Sequence, residues 1–566
     1  MLKVMERKRN ETPILTGETF LKFIIPLIFI VWNTNVLAFD FEGIKYSILS
    51  ESEGTVCVVS QTATDQLVGE IQIPDTVNYE GKDYTVTEIS EWAFYLCDQL
   101  TTVHLPQSLQ SIGVGAFCQC SNLKTIDIPD GVASLGSSAF YECGQLTSVR
   151  LSDNITEIGD WTFTRCYNLK DINFPKTLQR IGEYAFYYCS IEELSIPRTL
   201  TEIGRSAFGG CKKIRTITVE DGNSQYLCDD GVLFNQDKTN LVLFPPQSDR
   251  TNYDIPTTVT TITPGAFNGS KLKSITLPPT LTIIGNSWLS GCTQLESISI
   301  PASVTSIESA AFNGCSSLTE LYVPNTVQSI GISAFSGCKS LVKVHLPESL
   351  VRIEGWTFDG CSSLNEIVVP ESVNYIGMAA FLNCSRLTVF QFPQGVTIID
   401  DYAFEGCQSL KELVIPEKVE NVGWDAFLNC SELEKVTIGP SVKALEGGTF
   451  YGCDNIVEVW SYVEEPFDVI DYEDSHGGIV LLGRCFPEAV TNNAILHVPE
   501  GTTEKYLSKR GWRDFHNLVE MNVEAVSSPS VDEHDHALYY DLSGQRLNGK
   551  PVRGIYIQNG KKVLVK

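Results

Sequence analysis

Leu341 to Cys361 reads LVKVHLPESLVRIEGWTFDGC. Val344-His345-Leu346 alternates with period two, which predicts a short strand whose apolar residues face inward. Pro347 has no N–H for a ladder, so the strand stops there. Leu350, Ile353, Phe358 and Cys361 complete the pattern Leu-x-x-Val-x-Leu-Pro, Leu-x-x-Ile, Phe-x-x-Cys. Working outward, the phenylalanine recurs at 94, 117, 140, 163 and 186, always 23 residues apart, and then at 208. After an interruption it returns at 267, yields to Leu289, and continues at 312, 335, 358, 381, 404, 427 and 450, making fifteen turns. Self-similarity at a fixed period over such a length means a repeat solenoid, in which no unit buries its apolar face without its neighbours. Equivalent strands then lie side by side in parallel, about 4.8 Å apart, giving a rod of roughly 70 Å. Phe358 and its equivalents stack into an internal aromatic spine.

Composition agrees with that reading. The chain has 566 residues, with 43% hydrophobic and 10% aromatic residues, enough to fill a substantial core and to rule out wholesale disorder. Its formal charge of −28 repels phosphate backbones, which argues against nucleic acid and anionic lipid as partners.

The two ends differ from the middle. Lys3, Arg7, Lys8, Arg9 and Lys22 precede the apolar run Phe23 to Trp32 and then Val36, Leu37 and Ala38. This is the order of a secretory signal, residues 1–38, cut after Ala38. Its apolar core of ten residues is half of the roughly 20 needed to cross a membrane. No second spanning segment follows, so the mature chain is expected to lack an integral membrane segment. Residues 522–536 (NVEAVSSPSVDEHDH) read as a polar linker. In residues 537–566, Asn559-Gly560 between GIYI and KKVLVK is a hairpin signal, because both turn positions tolerate positive φ.

Repeated copies of IP-x-x-V-x-x-IG-x-x-AF-x-x-C from about residue 70 to 521 resemble the BspA-like, or type-5, leucine-rich repeat. The resemblance implies a right-handed leucine-rich-repeat superhelix of 23-residue coils, mainly short parallel strands with turns and short helical segments. It also implies surface exposure or secretion, and adhesion to host matrix proteins or other cells. The tail, through YDLSGQR and GIYIQNGKK, is similar to C-terminal modules of proteins from anaerobic Gram-negative bacteria, some of which act as sorting signals. The expected localisation is therefore secreted, or the extracellular face of a Gram-negative outer membrane.

Fourteen of the eighteen cysteines stand three residues after the repeat phenylalanine position. A ladder tied to one position suits a small half-polar group pointing inward. Ser270 occupies it in the broken coil, which fits a weak hydrogen-bonding role. Disulfides would need Cβ atoms about 3.8 Å apart in coils stacked about 4.8 Å apart, distorting every coil, so buried thiols are expected. Zinc needs ligands that converge on a point, whereas a ladder spreads them along a line.

Residues 39–90 read as an N-terminal β cap, 91–455 as the solenoid, and 456–521 as a C-terminal cap, since both ends need covering. An irregular insert spans about 219–262, where GVLF and NLVLF flank NQDKT as a hairpin; it reads as a variant coil, with a projecting binding loop as the alternative.

No convergent catalytic set is evident among the seven histidines, and no metal or cofactor is expected. DVIDYED, residues 468–474, lacks the order of ligands and the glycine of an EF-hand. Gly285, Glu308, Gly331, Glu354, Gly377, Asp400, Gly423 and Glu446 alternate with a period of 46, easing like-charge repulsion along the stack. The outward strand position carries His104, Asp127, Arg150, Asn173 and Ser195 early, and Tyr322, His345, Val368, Gln391, Val414, Thr437 and Trp460 late. The later run has the composition of an interaction patch, so Tyr322, His345, Gln391 and Trp460 are the candidate partner-binding residues. The expected partner is a host or matrix protein, or another bacterial surface protein; a glycan, or a scaffold role in a surface complex, is the alternative. Sequence leaves the oligomeric state open.

Overall fold

The computed structural model describes residues 38–61, 67–469 and 485–521, and the backbone of four short strands between 539 and 565. The signal segment before Ala38, the linker, His476, His534, His536 and most of DVIDYED lie outside the described residues. The chain falls into two compact units, Met1–Val373 with Ala380–Arg386, and Asn374–Ala379 with Leu387–Lys566.

Both units are solenoids of short parallel strands. In a representative coil of the first, strand Lys343–His345 puts Val344 inward, buried, and leaves Lys343 and His345 exposed. Pro347 follows, and its carbonyl accepts the Leu350 N–H at 3.0 Å, closing a turn that reverses the chain. A second, two-residue strand, Arg352–Ile353, buries Ile353. Adjacent coils pair in register, as in Leu321↔Val344 and Tyr322↔His345, so equal positions form columns.

A third ladder runs through the turn around each phenylalanine. Trp161, Phe163 and Arg165 donate backbone N–H groups to the carbonyls of Glu183, Ala185 and Tyr187 in the next coil, at 2.7–2.9 Å. For alternate N–H groups to point the same way, the residues two before and two after the phenylalanine take positive φ, 62° at Trp161 and 61° at Arg165. These left-handed residues bracket the phenylalanine and interrupt right-handed helix. The short helical segments expected in the coils are therefore replaced by turns. Helix is confined, among the described residues, to Glu488–Asn493, Thr503–Leu507 and the 3-10 turn Trp512–Asp514.

The phenylalanines form the spine. Successive rings from Phe94 to Phe208 stack 5.0–5.5 Å apart with planes within 12°. In the second unit Phe404, Phe427 and Phe450 continue the pattern, and Phe486 seats on Phe450 at 5.1 Å. The thiols beside this spine hydrogen-bond the preceding coil: Cys143 donates to the Phe117 carbonyl and Cys166 to the Phe140 carbonyl, both at 3.1 Å. Ser270 fills the same position and lies 3.3 Å from Cys292 Sγ.

The insert contains the expected hairpin, strands Val232–Asn235 and Asn240–Leu243 pairing antiparallel. It is a variant coil. Asn240–Leu243 pairs in parallel with Thr261–Ile262, and Phe244 stacks on Phe267 at 5.3 Å, restoring the spine. In the tail, Gly554–Gln558 and Lys561–Val565 pair antiparallel, and Asn559-Gly560 lies outside the described residues.

Candidate functional site

Because the strands are parallel and in register, each unit presents an outward row made of one side chain per coil. In the first unit the early part of the row is polar, and two of its members pair with residues beside the row. His104 Nε2 lies 2.6 Å from Glu70 Oε1, and Arg150 pairs with Asp130 at 2.6 Å. The strands Asn252–Asp254, Ser274–Thr276 and Ser297–Ser299 contribute Asp254, Thr276 and Ser299.

The late part changes character. Tyr322 is 61% exposed and Val368 is 78% exposed, with His345 between them. The Tyr322 and His345 rings sit 5.8 Å apart and are tilted by 51°. Burial, aided by the Lys343 ammonium and opposed by Glu320, holds the His345 imidazole below its ordinary range, so the ring is neutral at pH 7. Two predicted residues are thus brought together on adjacent strands, with the bare valine as their neighbour.

The second unit has its own row, Val414, Thr437, Trp460, His497 and Val519, each the register partner of the next. Trp460 does not project freely. Its indole stacks on His497 at 3.8 Å with planes 11° apart, its Nε1 donates to Glu458 Oε2 at 3.1 Å, and Lys435 Nζ stands 5.6 Å from the ring centre. Trp460 is therefore a half-buried plate on the sheet surface, between Thr437 and His497, with exposed Val414 and Val519 one strand further out on either side. Gln391 is exposed just past the strand Val389–Phe390 and lies outside any strand.

His497 escapes the reading of the sequence. Burial lowers its pKa, with Glu458 opposing and Lys435 assisting, and its Nε2 is buried without a hydrogen-bond partner. A signal exists: ILHVP at 495–499 repeats the strand pattern of KVHLP at 343–347. It lies inside the expected cap, where the repeat assigns no outward position.

Burial pushes the Cys211 and Cys338 thiols up to about 12, far from the thiolate that reacts. Among the described residues, no three His, Cys, Asp or Glu side chains group so as to hold a metal ion, and no helix is long and apolar enough to cross a membrane. What the rows offer is exposed, partly apolar surface.

Residues 87–215, 244–355 and 328–457 match the BspA type leucine rich repeat region, in six copies. Among solved structures, the chain is similar to a leucine-rich repeat protein from Eubacterium ventriosum, with 23% identity, 70% of this chain and 95% of that one covered, and a TM-score of 0.47. A leucine-rich repeat protein from Bacteroides ovatus is 27% identical, covering 75% and 99%, with a TM-score of 0.34. The pneumococcal vaccine antigen PcpA is 20% identical, covering 87% and 100%, with a TM-score of 0.37. No curated protein matches.

Proposed function

Since the chain belongs to the BspA-type leucine-rich repeat family, we propose that it is a non-enzymatic secreted or cell-surface protein that adheres to a host or matrix protein. We place it outside a Gram-negative outer membrane, released from its signal after Ala38 and sorted through residues 537–566.

The observation that carries this reading is the change along the outward row of the first unit. Polar residues give way to Tyr322, His345 and Val368, two of them strongly exposed. Such residues suit a sheet surface and add a little cross-strand stability, but an interface gains far more from aromatic and apolar anchors. The Trp460–His497 plate gives the second unit an anchor of the same kind, with little side-chain entropy left to lose on binding.

The test is to immobilise matrix proteins and measure retention of the wild-type chain and of the triple variant Tyr322→Ala, His345→Ala, Trp460→Ala. Truncating a hot-spot residue costs about 2 kcal/mol or more, so the triple variant should lose at least tenfold in affinity while still unfolding cooperatively. Equal retention of the two proteins would refute the assignment of these residues.

A further inference from the structure

The turn face of the early coils carries a second set of aromatic residues, apart from the outward strand rows. In every regular coil the positions two before and two after the spine residue are left-handed. Glycine takes that conformation at no steric cost, whereas any other residue there brings its Cβ close to a neighbouring carbonyl. In the four coils whose spine residues are Leu289, Phe312, Phe335 and Phe358, the second position is glycine throughout, at Gly291, Gly314, Gly337 and Gly360. The first position holds Ser287, Ala310 and Ser333 before Trp356.

The coils of Phe163 and Phe186 do the opposite. They place Trp161 and Tyr184 at the first position and Arg165 and Tyr188 at the second, with φ between 54° and 62°. Trp161 and Tyr184 stack at 4.2 Å, Tyr184 meets Tyr187 edge-on at 5.3 Å, and Tyr187 meets Tyr188 at 4.4 Å. The cluster ends over Gly209 and Gly210, where an added Cβ would stand 2.9 Å from the Tyr187 ring and 2.6 Å from the Tyr188 ring. Tyr188 is 36% exposed. On the preceding side Arg165 pairs with Glu142 at 2.6 Å, and Glu142 also accepts from Gln119 Nε2 at 2.7 Å. Bulky residues thus fill all four left-handed positions of two adjacent coils, where the coils of Leu289, Phe312 and Phe335 carry only small ones, and their rings converge on one partly open surface.

We propose that Trp161, Tyr184, Tyr187 and Tyr188, bordered by Arg165 and Glu142, form a binding site for a neutral glycan. The aromatic rings are apolar on their faces and polar at their rims, with phenolic hydroxyls on the three tyrosines and an indole N–H on Trp161, and a pyranose ring has the same division between its C–H face and its hydroxyl edge. The Arg165–Glu142 pair sets a donor and an acceptor beside the rings with no net charge, which suits hydroxyl groups and gives an anion no advantage. The −28 charge of the chain disfavours acidic polysaccharides and nucleic acid further.

The test uses an array of neutral and acidic glycans, probed with the full chain and with the double variant Trp161→Ser, Tyr188→Gly. Those replacements are residue types that other coils carry at the same left-handed positions, so the melting temperature should hold. The wild type should bind neutral glycans and the double variant should bind them at least tenfold more weakly, while Tyr188→Phe, which keeps the ring, retains binding. The Tyr322, His345, Trp460 triple variant should bind glycans normally, separating this site from the strand rows. Binding to no neutral glycan, binding to acidic glycans alone, or equal binding by wild type and double variant would overturn the proposal. So would a fall in melting temperature with binding intact, which would make the cluster a packing device.

Discussion

Within the first unit, the spine from Phe94 to Phe208 repeats one side chain in nearly one geometry, with no ring more than 4% exposed. At another position of this unit's coils, the outward row passes through His104, Asp127, Arg150 and Asn173 and, in later coils, Tyr322, His345 and Val368. The two columns share the same backbone rise and register. They differ in what surrounds them: the inner one must match the coil above and below at interior packing density, and the outer one meets water. Repetition therefore records the demands of the fold, and departure from repetition marks where the surface has been free to acquire a use.

The sharpest way to break this comparison is to exchange burdens between the columns. Phe140→Ala should cost about 3–5 kcal/mol by urea denaturation, because its neighbours on both sides are held by their own coils and cannot close the cavity. Tyr322→Ala should stay within about 0.5 kcal/mol of wild type in the same experiment. Comparable losses would mean that the outward row is structural.

Glycine gives the next contrast. A Cβ on Gly136 would stand 2.4 Å from the Gly113 carbonyl carbon, backbone against backbone, whereas one on Gly144 would meet nothing nearer than the Tyr167 ring at 3.8 Å. Gly136→Ala should cost about 1–3 kcal/mol, as overpacking does. Gly144→Ala should be close to neutral, and denaturation midpoints of the pair decide it.

Buried thiols sharpen the picture through pH. Desolvation raises the Cys143 pKa well above its ordinary value. In the unfolded chain a thiol ionises near about 8.5, so below that pH both states hold the proton and stability is unaffected. Above it the unfolded state loses the proton and the folded state keeps it, so stability falls with rising pH until the folded pKa is reached. Each such thiol contributes about 1.4 kcal/mol per pH unit in that window. Cys143→Ala should make the decline between about pH 9 and 10 shallower by about that amount. A slope identical to wild type would indicate that the thiol ionises alike in both states.

The smallest effect is expected where the ladder already tolerates exchange. Ser270→Cys puts the usual group beside Cys292 and should change stability by less than about 0.5 kcal/mol, read from the melting temperature.

The inner column is legible in the sequence almost completely, because burial admits few residue types: Phe358, Cys361, Val344 and Pro347 each stand where the pattern puts them. Phe244 escapes, since the hairpin lengthens its spacing from Phe208 to 36 residues and hides a spine ring within NLVLF. The paired left-handed turns escape too. Trp161 and Tyr188 are not the residues that signal positive φ, and inter-coil hydrogen bonds impose it on them. For the surface, Tyr322 and His345 can be paired from spacing alone, because parallel register makes spacing equivalent to contact. The flat attitude of Trp460 cannot be foreseen, because it depends on His497, which arrives 37 residues later after an irregular stretch.

Hydroxyl-radical footprinting of the chain, free and bound to a retained matrix protein, addresses the assignment of the outward rows most directly. Oxidation of Tyr322, His345 and Val368 in the first unit and of Trp460 in the second should fall on binding, with the early residues His104 and Arg150 unchanged. Protection elsewhere, with Tyr322 and Trp460 labelled as in the free protein, would contradict the account.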